Sequence, residues 1–339
     1  MKEVELIDAQ KRELEAKFTK PIKSILNQIA SDAKIAYLTT GDVQAENIAK
    51  YYKPEFLSIT RQIQRESIKK FGFTLREKYK ELDFKPEKQK ALIDYQIQYK
   101  DADPILITDS QIDKVDKEFS LASILFVAEQ SEIQTGYITN TTEKEVSEAQ
   151  KLAVILFFDT QKEYYEKLDG LNEQLRALEF NEAIQGSLSI NQIKKNKLKA
   201  KIEALTKEIE AFNQKKDLFI ADNIKEKLTT RASSRSPLIS EQNVGLAQSW
   251  AKAAEEDSIA NNISGIAMEQ NWRAILDSHT RHDHAVADGQ KKVNGFYIVG
   301  GHRCTRPYDP SLPIEQTAYC RCQEETKIVF LVTEVDNQI

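Results

Sequence analysis

Tyr164-Tyr165-Glu166-Lys167-Leu168-Asp169-Gly170-Leu171-Asn172-Glu173-Gln174-Leu175-Arg176-Ala177-Leu178 repeats an apolar residue at alternating spacings of four and three, the seam of a heptad helix. Downstream, Leu198, Ile202, Leu205, Ile209, Phe212 and Phe219 keep the same heptad phase. Each run follows a capping-box pair, Thr142 with Glu145 and Ser189 with Gln192, and the connection from Asn181 to Leu188 contains Gly186. Two heptad helices of similar length joined by a short turn predict an antiparallel coiled-coil hairpin, in which each helix buries its seam against the other. The alternative is two separate amphipathic helices, each packed on the body of the protein.

The rest of the chain points the same way. Among 339 residues there are only 11 Gly and 8 Pro, 40% of the chain is apolar, and Lys, Glu, Gln, Leu and Ala dominate. Ile22, Ile25, Leu26 and Ile29 lie on one helical face. Gly41-Asp42 should break the first helix, a second should span about Gln44 to Tyr79 closed by Lys85-Pro86, and Asp101 to Pro104 is a further break. Ser120 to Ala128 is apolar enough for a buried helix. Arg231 to Pro237 reads as a helix stop, after which Ser240-Glu241 opens a helix carrying Val244, Leu246, Ala247 and Trp250. Gly295 to Gly300 and Lys327 to Val332 read as strands. The expected fold is mainly α: a helical N-terminal region over 1–140, the hairpin over 141–230, and a small α+β domain over 231–339.

Charge and targeting bound the function. The net charge of -5 excludes a protein that coats nucleic acid along its length. Asn191 to Arg231 nevertheless carries eleven Lys or Arg against six Asp or Glu, with Lys194, Lys195, Lys197, Lys199 and Lys201 close together. That run is either a solvated helix face or a non-specific DNA contact. No secretory leader is legible in Met1-Lys2-Glu3-Val4-Glu5, and no apolar run approaches the roughly 20 residues of a membrane span, so no membrane partner is expected; three cysteines, two of them separated by one residue, make no disulfide framework and fit assembly in a reducing cytoplasm.

All four His and all three Cys fall between His279 and Cys322. Three readings compete there. Cys320 and Cys322 with His284 or His279 supply the ligand types of a structural zinc, although a Cys-X-Cys step is short for that use. A His-rich run with acids could also activate water as a metal-dependent nuclease or deaminase, although the deaminase signature is missing. The plain reading is a compact polar core whose groups satisfy one another.

Trp272, Asp277, Thr280-Arg281, His284, Asp288-Gly289-Gln290, Phe296, Pro307, Asp309-Pro310, Pro313, Glu315 and Cys320-Arg321-Cys322, in this order, resemble the C-terminal signature of the phage Mu F-like family of minor head proteins, also called phage head morphogenesis proteins. Upstream, Arg235, Ser240-Glu241 and Asn243 are similar to the Arg, Thr-Glu and Asn that precede this signature. The likeness covers roughly residues 231 to 323. It implies a structural virion protein, present in few copies at the portal vertex or head interior and assembled in the host cytoplasm. Its partners would be the portal protein or major capsid protein, and packaged DNA, non-specifically; no catalysis is implied. Many members carry Cys-X-X-Cys where this chain has Arg281 and His284, and a His where it has Thr317. The resemblance to the version with Arg and Asp implies an ion pair of Arg281 with Asp309 or Asp277 in place of a metal, leaving either no cofactor or one structural zinc. His279 stands where Arg is usual and Tyr319 where Asn is usual. The competing class is a metal-dependent nuclease or toxin-type enzyme, against which the chain, ending at Ile339, is expected to leave no room for an added catalytic module.

Overall fold

The computed structural model describes residues 2–84, 109–185, 189–263, 266–278, 280–318 and 320–330. The breaks read at Lys85-Pro86 and Asp101 to Pro104, the turn glycine Gly186, the side chain of Ser189, and His279, Tyr319, Leu331 and Val332 lie outside the described residues. Eleven elements are described: α1 (Lys2–Thr40), α2 (Ala45–Phe84), α3 (Asp109–Gln185), α4 (Ser189–Gln214), α5 (Lys216–Asn262), β1 (Ile266–Arg273), α6 (His282–Ala287), β2 (Tyr297–Val299), β3 (His302–Cys304), α7 (Ile314–Thr317) and β4 (Gln323–Phe330). The protein is mainly α, with long helices and a small C-terminal region of antiparallel strands.

The chain forms two compact units that are not consecutive in sequence. One comprises Met1–Lys23, Lys53–Ile138 and Ser234–Ile339, the other Ser24–Tyr52 and Thr139–Ser233. The division thus differs from the three consecutive regions read from sequence, because residues 24–52 belong with the hairpin.

In the second unit α3 and α4 run antiparallel, with pairs whose α3 number falls as the α4 or α5 number rises. Lys195 pairs with Glu182 and Glu179 at 3.2 and 3.4 Å. Tyr164 donates to Glu208 at 3.1 Å and Gln161 to Asn213 at 2.7 Å. Phe157 stacks on Phe212 at 4.9 Å between centroids, and Arg231 pairs with Glu148 at 2.8 Å. The seam residues Leu168, Leu171, Leu175, Leu178, Leu198, Ile202 and Leu205 are half-buried, which is what two helices without a third layer can achieve, and Ile209 is buried.

Several helix boundaries read from sequence do not stand. Thr142 and Glu145 open no helix but lie inside α3, where the buried face Ile138, Thr142, Val146, Ala149, Ala153 and Phe157 runs through them. The second heptad helix is instead divided at Lys215, which places Phe219 on α5. The stop at Arg231 to Pro237 is overridden too: α5 continues through Pro237 and through Ser240-Glu241. An interior proline removes one helix hydrogen bond and crowds the preceding turn. Here Ala232, Ser236, Ile239, Val244 and Ala247 are buried on both sides of it, Arg235 donates to the Ile138 carbonyl at 2.7 Å, and Ser240 to the Glu15 carbonyl at 2.8 Å. Tertiary burial outweighs local propensity there. The apolar run Leu121 to Ala128 is only partly buried. Phe126 and Val127 pack with Ile68, Phe119 and Leu246, with Phe126 stacked on Trp250 at 4.3 Å, whereas Leu121, Ile124 and Leu125 are exposed.

The C-terminal module of the first unit pairs β1 with β4 antiparallel, from Ile266 opposite Phe330 to Arg273 opposite Gln323, and β2 with β3, Tyr297 opposite Cys304. Its core gathers Trp272, Ala287, Tyr297, Val299, Cys304, Tyr308, Leu312, Cys320 and Cys322. The end of α5 is fastened to the β1–β4 sheet by buried polar groups. Glu256 accepts from Gln270 and Thr326, Gln270 also donates to Glu324 at 3.1 Å, Lys292 pairs with Glu324 at 3.4 Å, and Lys252 donates to the Glu324 carbonyl at 2.5 Å.

Candidate metal centre

Trp272 lies on β1, and its indole meets the His284 ring edge-on at 5.9 Å between centroids. The turn after α6 aligns this contact. Gly289, at φ +77°, adopts the left-handed conformation that glycine takes without steric cost, and its N–H donates to the Trp272 carbonyl at 2.8 Å. Asp288 accepts from the Ala274 N–H at 2.9 Å, and the Gln290 side chain accepts from the Ile298 N–H at 2.7 Å. These contacts fix α6, and with it His284, against β1 and β2.

His284 Nδ1 lies 3.2 Å from Cys322 Sγ and 3.6 Å from Cys320 Sγ, and the three ligand atoms are all within 4.8 Å of one another. All three residues are buried. A tetrahedral zinc with bonds of about 2.0–2.3 Å sets its ligand atoms about 3.5–3.8 Å apart, so the donor set and the spacing fit. A cavity of about 10 Å³ beside the cluster, lined by Ile275, Thr280, Arg281, His284, Cys320, Arg321 and Cys322, has room for about one ion or water. This much of the sequence expectation holds: His284, Cys320 and Cys322 form a group able to hold a metal. Cys304 is buried in the same core, where burial pushes its thiol up to about 12.

The cluster is strongly polarised. The hydrogen bond from Cys322 pulls the Cys320 thiol well below its usual range against the effect of burial, with His284 and Lys11 acting in the same direction. The same Cys322–Cys320 hydrogen bond and burial drive Cys322 upward. Burial depresses His284, but its contact with Cys320 outweighs that and raises it overall. Lys11, itself buried, donates to the Cys320 carbonyl at 3.1 Å and to the Tyr308 hydroxyl. Tyr308 holds φ +60°, a backbone state rare for a bulky residue, with its ring pressed against Gly245.

Arg281, Asp309 and Asp277, for which the resemblance implies an ion pair, take other partners. Arg281 donates to the Ala318 carbonyl, and Asp277 pairs with Arg321. Asp309 instead closes its own turn, accepting from Thr305 N and Oγ1 at 2.6 Å each and from Ser311 N at 2.8 Å. Burial raises its carboxyl, and these hydrogen bonds carry it below the usual range. The Arg281 pairing with Asp309 or Asp277 is therefore corrected: a guanidinium at position 281 reaches a backbone carbonyl, and the nearby Arg321 takes the carboxylate. Of the lysines read as a DNA contact, Lys195 is drawn to the seam by Glu182 and Glu179, leaving Lys194, Lys197, Lys199 and Lys201 exposed.

Gln316, Asp283, Lys11 and Gly300 were not legible as site residues. Gln316 Oε1 lies 2.9 Å from His284 Nε2, and Gln316 Nε2 donates to Asp283 at 2.9 Å. The adjacency of Asp283 to His284 was the one available signal; nothing in the sequence marks Gln316, 32 residues away from His284. No family model, curated protein or solved structure matches the chain.

Proposed function

We propose that this chain is a minor head protein of a tailed bacteriophage, in which the C-terminal module is a structural element locked by one zinc ion at His284, Cys320 and Cys322. The observation that carries the reading is convergence. Trp272, Asp277, Thr280, His284, Asp288, Gly289, Gln290 and the Cys320-Arg321-Cys322 segment, among the residues on which the resemblance rests, contact one another in one small module. Catalysis by a nuclease or toxin-type enzyme needs substrate and water at the metal, whereas His284, Cys320 and Cys322 are 2%, 2% and 5% exposed. Zinc would supply cross-linking of α6 to the Cys320–Cys322 segment and no bond-making chemistry. The partners on this reading are the portal protein or major capsid protein, with packaged DNA touched non-specifically by Lys194, Lys197, Lys199 and Lys201, at the portal vertex or head interior.

Purified virions of a phage encoding the chain provide the test. Quantitative mass spectrometry should find it in few copies per particle, retained after nuclease treatment. Its absence from virions, or a metal-dependent nuclease activity of the purified protein that His284→Ala abolishes, would overturn the proposal.

A further inference from the structure

The side chains around His284 determine which of its ring nitrogens faces the thiols. Gln316 stands on α7 and donates through Nε2 to Asp283 Oδ2 at 2.9 Å. A carboxylate only accepts, so Asp283 draws the NH2 end of the amide to itself and turns Oε1 toward His284 Nε2, 2.9 Å away. An amide oxygen also only accepts. Nε2 must then carry a hydrogen, and the neutral ring keeps its lone pair on Nδ1, the nitrogen that lies 3.2 and 3.6 Å from the two sulfurs.

Three donor atoms thus converge on one point, an arrangement that repels unless protons or a cation stand between them. We infer that Gln316 and Asp283 are the positioning residues of this centre, fixing His284 in the Nε2–H tautomer so that it binds a zinc-class cation through Nδ1. The inference rests on the zinc reading above. The chain makes room for the pair at Gly300. A Cβ there would stand 2.5 Å from Gln316 Nε2 and 2.7 Å from Asp283 Oδ2, and the residue's φ of +56° is itself in the left-handed region. Partners of this kind orient metal-binding histidines and typically change affinity by about 10–100-fold when removed.

The test uses the full chain, titrated with zinc against a chromophoric chelator, with circular dichroism to verify folding. Gln316→Leu should weaken zinc by about 10–100-fold. The double variant Gln316→Glu with Asp283→Asn, which exchanges acid and amide while keeping an acceptor at Nε2, should recover most of the loss. Nitrogen-15 NMR of the metal-free wild-type chain should show hydrogen on Nε2 of His284 once its ring is neutral, a readout that needs neither zinc nor a variant. Wild-type zinc binding that Gln316→Leu leaves unchanged, or a neutral ring with its hydrogen on Nδ1, would overturn the positioning role while leaving the centre standing. A wild-type chain that takes up no zinc would remove the centre itself, and this inference with it.

Discussion

Glu256→Gln should stabilise the protein, increasingly so as the pH rises from 5 to 8. Glu256 is 2% exposed, and burial first, then the charge of Glu324, lifts its carboxyl from 4.5 to about 8. The folded state therefore holds a proton that the unfolded chain releases near 4.5. The stability associated with that proton is complete below 4.5 and is lost as the pH climbs through about 8, with a slope of about 1.4 kcal/mol per pH unit. From pH 5 to pH 7 the loss is about 3 kcal/mol. Glutamine keeps an oxygen for Thr326 and an N–H for Glu324, gives up the acceptor that faces Gln270, a loss that does not vary with pH, and carries no charge to bury. Lys252, whose ammonium burial depresses, shares the network and works in the opposite sense, gaining stability as the pH rises toward the ordinary lysine range. Only the difference between the wild-type chain and the variant isolates Glu256. Urea unfolding followed by tryptophan fluorescence, repeated at half-unit steps of pH, supplies that difference. If the two stability curves run parallel from pH 5 to 8, Glu256 does not hold a proton in the folded protein and the account of this buried cluster is wrong.

Three further outcomes follow from other parts of the molecule. Replacing Leu205 and Ile209 with Asp places charge in the hairpin seam and should cost several kcal/mol, about 2–4 per site; circular dichroism should show lost helix while zinc uptake persists, and unchanged helicity would refute the seam. Arg281→Ala should cost about 1–3 kcal/mol, because it leaves the Ala318 carbonyl without its charged donor, whereas Asp277→Asn, at a part-exposed pair, should cost under about 1 kcal/mol; denaturant melts giving the opposite order would return the leading ion pair to Asp277. Reversing Lys194, Lys197 and Lys201 to Glu should abolish any DNA retention in gel shifts and flatten its salt dependence, whereas reversing Lys195 should act mainly on hairpin stability; equal retention by the triple variant would end the DNA reading.

The parts of the fold legible in sequence were those written in local periodicity. The heptads from Tyr164 to Leu178 and from Leu198 to Phe212 announced a hairpin because each seam residue is three or four positions from the next. Boundaries were less legible. Thr142, Ser240 and Pro237 carry strong local signals for a helix end, and all three lie inside helices because a buried face runs through Thr142 and Ser240 and past the exposed Pro237 on both sides, which only the tertiary partner reveals. The site divided in the same way. His284, Cys320 and Cys322 could be grouped by chemistry, since few other residues bind soft metals. Their supports could not, because Gln316 and Lys11 are common residues whose importance arises from a contact over 32 and 309 positions. Arginine and aspartate were paired wrongly for a related reason: Asp277 takes Arg321, 44 positions on, and not Arg281, four positions away, and sequence order does not say which of the two arginines is spent on a carbonyl.

The interleaving of the two compact units bears on how the chain is made. Ser24–Tyr52 leaves the ribosome long before its companion segment Thr139–Ser233, and Met1–Lys23 and Lys53–Ile138 long before Ser234–Ile339. The contacts that close the units, Lys34 with Asp222 and Lys11 with Cys320, span 188 and 309 residues. Distant closures of this kind slow folding and leave apolar helix faces uncovered in the meantime. Synthesis therefore imposes an order: the unit containing the hairpin can close once Ser233 has emerged, and the unit containing the candidate metal centre only once the Cys320–Cys322 segment has followed. A nascent chain stalled shortly after Ser233 should protect Val43 and Phe157 from proteolysis while Phe18 remains open to it, and a truncated product lacking the Cys320–Cys322 segment would expose the buried Lys11 face to solvent and to chaperones.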